Sequence, residues 1–268
     1  MNKETRMITK EDLRKDLSDL GINPKGTLLV HSSYKKIGDV EGRGDTVIDV
    51  LLEYMKEGTL ILPTHTWDQI AIDKQPVMEV EHTASCIGIL PDIFRQRPDV
   101  IRTWHPTHSV GIYGEKAQDL AKGEEFINTP CGPGSIWNKL LDEKASILLV
   151  GVDFTRNTFI HCIEELCDVP NRLTEEIHDL YVITPHGEKL YTPQYRHRKG
   201  LGSQTFWKLE ALMEKEGVMK KGQFGQAQTM LCDAQGLYRI LSQMLSKDIE
   251  ILSDNEPLEP FWYEMNFK

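Results

Sequence analysis

The sequence predicts an α/β fold: three layers, α/β/α, around a central mixed, largely parallel sheet, with a C-terminal subregion containing a β-hairpin and helices. Two observations point there. Short apolar runs of strand length, at Thr27–Val30, Leu60–Leu62 and Ile147–Val150, alternate with segments of helical period. Each run also ends in a polar cluster: His31-Ser32-Ser33, Thr64-His65-Thr66 and Asp153-Phe154-Thr155. Open α/β sheets take ligands beyond the carboxyl ends of their strands, so parallel packing would bring these clusters to one edge.

The elements follow in order. Thr9 to Leu20 reads as an amphipathic helix, with Thr9 as N-cap, Asp12 completing a capping box and Gly21 as the stop. After the first strand, a glycine-containing loop leads to a helix capped by Asp45 that carries Val47, Ile48, Leu51, Leu52 and Met55 on one face. Gly58 ends it. Residues 68–85 show no clear period and read as a long excursion over the active face, a kind of loop that is often functional. Gly88–Arg97 is helical in pattern, Ser109–Tyr113 a strand, and Lys116–Ala121 and Ile136–Leu141 short helices. Tyr181–Thr184 and Glu188–Thr192 flank Pro185-His186-Gly187 as a hairpin. Phe206–Glu216 and Gln235–Leu245 read as helices. The chain, 1–268, reads as a single domain in which residues 170–268 form a subregion.

Composition narrows the function. The chain has 268 residues, 40% of them hydrophobic, which suits an ordinary globule with a real core. No apolar run is long enough to span a membrane. The charged start, Met1 to Arg6, does not read as a signal peptide, so a cytoplasmic protein is expected. Its five cysteines match no zinc spacing and read as free thiols. A net charge of -10 argues against nucleic-acid binding and suits a cationic substrate.

The sharpest chemical element is the helix that follows Ile147–Val150. Phe159, Ile163 and Leu166 form its core stripe, and Thr158, His161, Glu164 and Glu165 share another face. A carboxylate beside an imidazole orients it and raises its basicity, which suits a general base; spacing alone equally allows a structural histidine, and leaves open which glutamate is its partner. His105-Pro-Thr-His108 invites a metal reading, but Pro106 argues against helical presentation of both rings, and no metal is expected. Cys131 reads as a packed thiol. The loop after the first strand offers Ser32, Ser33, Lys35, Lys36 and Arg43 to an anionic cofactor, yet has neither a P-loop nor G-x-G-x-x-G.

With these residues assembled, the chain resembles the aminoglycoside N(3)-acetyltransferase family, distinct from the GCN5-related acetyltransferases. The motifs are Leu29-Val-His-Ser-Ser33 with Gly38, Thr103-Trp-His-Pro-Thr-His-Ser-Val110 with Gly114, Gly132-Pro-Gly-Ser135, and Leu148 through His161 with Glu164. The resemblance runs from about Lys10 to Ser246. It implies acetyl transfer from acetyl-coenzyme A to the 3-amino group of a 2-deoxystreptamine antibiotic or a related amine, an antibiotic-resistance activity. It implies that His31, Ser32, Ser33, Tyr34, Lys35, Ser109 and Val110 hold coenzyme A. His161 would be the base and Glu164 its partner, with Thr64, His105 and Thr158 lining the reacting centre. Asp68, Asp73, Glu79 and Glu81 on the excursion would face a polycation. The chain departs from the family pattern at Glu79–Cys86, where many relatives carry Asp-Pro, at Cys131, and at the basic run Tyr195–Arg198. The alternatives are a metal-dependent hydrolase using His105, His108 and His161, and a coenzyme A-binding protein of this fold with a non-aminoglycoside acceptor.

Overall fold

The computed structural model describes residues 6–198 and 202–268; most of the charged N-terminal run lies outside them. In order, α1 (Lys10–Asp19), β1 (Thr27–Ser32), α2 (Tyr34–Ile37), α3 (Arg43–Tyr54) and β2 (Thr59–Pro63) open the chain. β3 (Val77–Glu79), α4 (Ile89–Arg95), β4 (Ile101–Arg102), β5 (Val110–Gly114), α5 (Ala117–Ala121), α6 (Ile136–Asp142), β6 (Ser146–Val150) and α7 (Thr158–Leu166) follow. The last are β7 (Tyr181–Ile183), β8 (Lys189–Tyr191), α8 (Glu210–Lys215), β9 (Met219–Phe224), β10 (Ala227–Asp233) and α9 (Ala234–Lys247).

Seven strands form a mixed sheet in the order β4-β5-β2-β1-β6-β10-β9. The three apolar runs are its centre: β1 pairs parallel with β2 and with β6. The outer pairings are antiparallel. Alternation of side chains along a strand makes the layers. Leu29, Ile61, Ile147 and Leu149 enter one core with α5, α6, α7 and α9. Leu28, Val30, Leu60, Leu62, Leu148 and Val150 enter the other with α1, α3 and α4.

Local signals explain most boundaries. The Thr9–Asp12 capping box forms as read, with the Asp12 N–H donating to Thr9 Oγ1 at 3.2 Å and the Thr9 N–H to Asp12 Oδ2 at 2.9 Å. α3 starts earlier than its expected Asp45 cap: Gly42, with φ 71°, turns the chain and Asp45 falls in the first turn. The excursion is better ordered than its sequence suggests. β3 pairs parallel with β7, and β7–β8 is the expected hairpin, so a second, three-stranded sheet forms around Ile70, Met78, Val80, Leu180 and Val182. Sequence reading missed β9 and β10, which join the main sheet across β6. β9 has no apolar alternation to detect: its four inner residues, Lys220 to Gln223, are exposed, as suits a charged edge strand.

Candidate active site

The carboxyl ends of β2, β1 and β6 lie along one edge of the sheet, so the polar clusters gather there. β5 runs antiparallel to β2, and this brings the residues before β5 to the same edge. The pairing continues past the strands: Thr64 N–H donates to Ser109 O at 2.8 Å and Thr66 N–H to Thr107 O at 3.0 Å. His65 and His108 thereby come together, their ring centroids 4.8 Å apart.

The third cluster has another use. Asp153 Oδ1 accepts the Thr155 N–H at 3.0 Å, closing a 3-10 turn that feeds directly into α7. On α7, His161 Nδ1 lies 2.7 Å from Glu164 Oε2. Glu164 is therefore the partner of His161. Arg172 completes the arrangement, its Nε 2.9 Å from Glu164 Oε1 but off the line of a hydrogen bond. Both charges are buried, at 1% and 5% side-chain exposure. The carboxylate accepts a hydrogen bond from Nδ1–H, which leaves the lone pair on Nε2, and Nε2 has no hydrogen-bond partner among the described residues. The His161 ring lies against His197 and Phe206, with centroids 4.2 and 4.9 Å away, and keeps 14% side-chain exposure. Arg172 carried no sequence signal. It reaches Glu164 because the chain reverses after α7 through Asp168 and Asn171, at φ 52° and 61°.

Burial favours the neutral form of the surrounding histidines. Burial pushes His31 down to about 3 and His105 down to about 4, and holds His65, His108 and His197 below the ordinary imidazole value. His105 has no free nitrogen: Nδ1 accepts the N–H groups of Thr107 and His108 at 3.2 and 2.9 Å, and Nε2 bonds Thr129 O at 3.0 Å. This bonding shapes the loop before β5. It also removes His105 from the metal triad with His108 and His161. The potential ligand atoms that do gather among the described residues belong to Cys131, Glu165 and His197.

Thr64, Ser109 and Val110 are tied into the fold in a similar way. Arg102 is a buried strut beneath them. Its guanidinium donates to Thr64 O at 2.8 Å, Thr64 Oγ1 at 3.1 Å, Ser109 Oγ at 3.3 Å, Val80 O at 3.0 Å and Thr83 O at 2.6 Å. Burial lowers its pKa to about 9. Thr64 and Ser109 also bond each other at 2.9 Å, and Val110 exchanges hydrogen bonds with Thr103. Their polar groups help tie the excursion to β2.

The other expected residues lie nearer the surface. Thr158 is the first residue of α7 and its Oγ1 lies 3.3 Å from His65 Nε2. Ser32, Ser33 and Tyr34 are half-buried and Lys35 exposed beyond β1, whereas the His31 ring is buried near Trp137, with centroids 6.3 Å apart. Asp68, Asp73 and Glu81 are exposed and Glu79 half-buried. Arg196, in the basic run, spends its guanidinium on the carbonyls of Trp67 and Ile70.

The family profile described as aminoglycoside 3-N-acetyltransferase matches residues 29–246. The SPbeta prophage-derived aminoglycoside N(3')-acetyltransferase-like protein YokD of Bacillus subtilis is 28% identical over 176 residues, covering 58% of this chain and 64% of that protein. Aminoglycoside N(3)-acetyltransferase IX of Micromonospora chalcea is 26% identical over 260 residues, 85% of this chain and 89% of that one. The solved structure of AAC-IIIb with CoASH superposes at a TM-score of 0.79 and 22% identity, over 90% of this chain and 97% of that one.

Proposed function

The chain belongs to the aminoglycoside 3-N-acetyltransferase family, and from that membership we propose that it moves an acetyl group from acetyl-coenzyme A to the 3-amino group of an aminoglycoside or a related amine. Its relatives' names support the reaction class, and a CoASH-bound structural neighbour supports the donor. The observation that carries the mechanism is the His161–Glu164 contact of 2.7 Å, with Nε2 left free.

An ammonium group has no lone pair to attack with, so the acceptor amine must lose a proton. That first proton goes to solvent; His161 Nε2 takes the second, which the neutral amine nitrogen sheds as it bonds to the thioester carbon, and Glu164 stabilises the imidazolium that forms. The carbonyl oxygen becomes an oxyanion. α7 begins without a side-chain cap, so first-turn N–H groups beside Thr158 are the donors best placed to receive it. The C–S bond then breaks, and His161 returns the proton to the departing thiolate. No enzyme nucleophile is required. Holding amine and thioester together supplies several kcal/mol, on the order of the gain seen for well-oriented intramolecular reactions.

In this reading Ser32, Ser33, Tyr34 and Lys35 hold the donor's polar groups, and His105, Thr64, Ser109 and Val110 position the site from below. The exposed acids of the excursion supply the field for a cationic sugar. The test is thiol release from acetyl-coenzyme A with kanamycin-type, gentamicin-type and non-sugar amines, each product mapped by NMR. A 3-N-acetyl product supports the proposal; thiol release with no amine in the panel overturns it.

A further inference from the structure

We propose that Cys131, Glu165 and His197 form a binding site for a transition-metal dication of the Zn2+ class, outside the His161–Glu164 pair. One donor atom from each residue lies within 4.8 Å of the others. A thiolate, an imidazole and a carboxylate are the donor types that zinc takes, and together they disfavour magnesium and calcium. Tetrahedral zinc, with bonds of about 2.0–2.3 Å, separates its ligand atoms by about 3.3–3.8 Å. Closure therefore needs only a shift of about 1 Å, within reach of side-chain rotation alone.

Two further observations point to a ligand. Among the described residues Glu165 Oε2 and His197 Nε2 are buried and make no hydrogen bond, His197 Nε2 lying 3.5 Å from Glu165 Oε1, and the Glu165 side chain is only 5% exposed. Buried polar atoms of this kind are costly unless something pairs with them. The cradle is also shaped for a close approach. Glu165 Oε1 accepts the Cys131 N–H at 2.9 Å, which orients the carboxylate. A Cβ on Gly132 would stand 2.2 Å from Thr129 Oγ1 and 3.0 Å from Glu165 Oε2, so glycine keeps that space open.

The ligands come from three separate places: the turn before α6, the last turn of α7, and the strand-like segment in which His197 bridges to Leu173. A bound ion would clamp these together. His197 also stacks on His161, so the one net positive charge that binding adds, two from the ion less the proton released by Cys131, would stand beside the acceptor's approach and add repulsion toward an ammonium group. That consequence, unlike the binding itself, rests on the proposed acyl transfer.

The test is titration of the chelator-treated full chain with Co2+. The expected result is one Co2+ per chain, a thiolate-to-cobalt charge-transfer band, and displacement by Zn2+. The band is lost in Cys131→Ser, and affinity falls by about tenfold or more in His197→Ala. No charge-transfer band, or a band unchanged in Cys131→Ser, overturns the site. Should Cys131→Ser fail to fold, Glu165→Gln keeps an acceptor for the Cys131 N–H, and undiminished cobalt affinity there overturns it equally. Zn2+ raising the acceptor's KM but not that of acetyl-coenzyme A supports the repulsion. If the cobalt band appears in a chain that acetylates no amine, the proposed function fails and the metal site stands.

Discussion

Glu164→Gln separates two jobs of one carboxylate. Glu164 meets His161 at 2.7 Å and Arg172 at 2.9 Å, with almost no solvent on either side. Neutralising it leaves the Arg172 guanidinium buried without a counter-charge, and breaking a buried pair from one side costs roughly 3–5 kcal/mol. In a domain of this size each kcal/mol moves Tm by about 2–4 °C, so the melting point should fall by on the order of 6–20 °C. The amide can also donate to Nδ1, which favours the tautomer with its proton on Nε2, the wrong one for a base. Turnover should then fall by about 10²–10⁴, the usual worth of general acid–base catalysis. Calorimetry and steady-state thiol release measure the two losses. Adding Arg172→Met removes the orphaned charge and should restore about 2 kcal/mol or more, without restoring turnover. A Glu164→Gln enzyme that melts within about 2 °C of the parent and turns over within about threefold of it would refute the reasoning.

Three other outcomes follow from the buried groups. Burial raises the Glu124 carboxyl from 4.5 to about 8. Its folded pKa lies above its unfolded one, so its contribution is whole below pH 4.5 and is lost as pH rises to about 8. The span of 3.5 pH units amounts to about 5 kcal/mol, and Glu124→Gln should flatten urea-measured stability between pH 5 and 9; an unchanged slope contradicts this. His31 shifts the other way, from 6.5 to about 3, so its contribution is present above 6.5 and is lost as pH falls toward 3. His31→Leu should lower the acid-unfolding midpoint seen by tryptophan fluorescence, and an unmoved midpoint would deny that burial. Arg102→Met strands the carbonyls of Val80 and Thr83, at about 1–3 kcal/mol for each buried acceptor left unpaired. Limited proteolysis should then cut within residues 68–85 first; parental resistance there would remove the strut from the account.

The sequence disclosed elements wherever a residue acts on its near neighbours. The Thr9 capping box, the strands at Thr27, Leu60 and Ile147, and the hairpin around Pro185-His186-Gly187 each carry their own period or cap. That His161 shares a helix face with glutamates was legible for the same reason, though spacing left Glu164 and Glu165 both open as its partner. What stayed hidden depends on distant chain. Arg172 meets Glu164 only because two left-handed residues reverse the backbone. Arg102 looks like an ordinary surface cation until β4 buries it under the excursion. Motif position placed Thr64 and His105 at the reacting centre and Ser109 and Val110 against coenzyme A, but a motif does not disclose which polar atoms are already bonded within the fold, as theirs are. β9 shows no pattern because an edge strand packs so little of its length.

The central claim is that His161 removes the proton from the amine. The most direct measurement compares parent and His161→Ala for turnover and, by calorimetry, for coenzyme A binding. The account predicts turnover lower by about 10²–10⁴ with affinity for coenzyme A held within about threefold. Parental turnover in a folded His161→Ala enzyme that still binds the donor would contradict it.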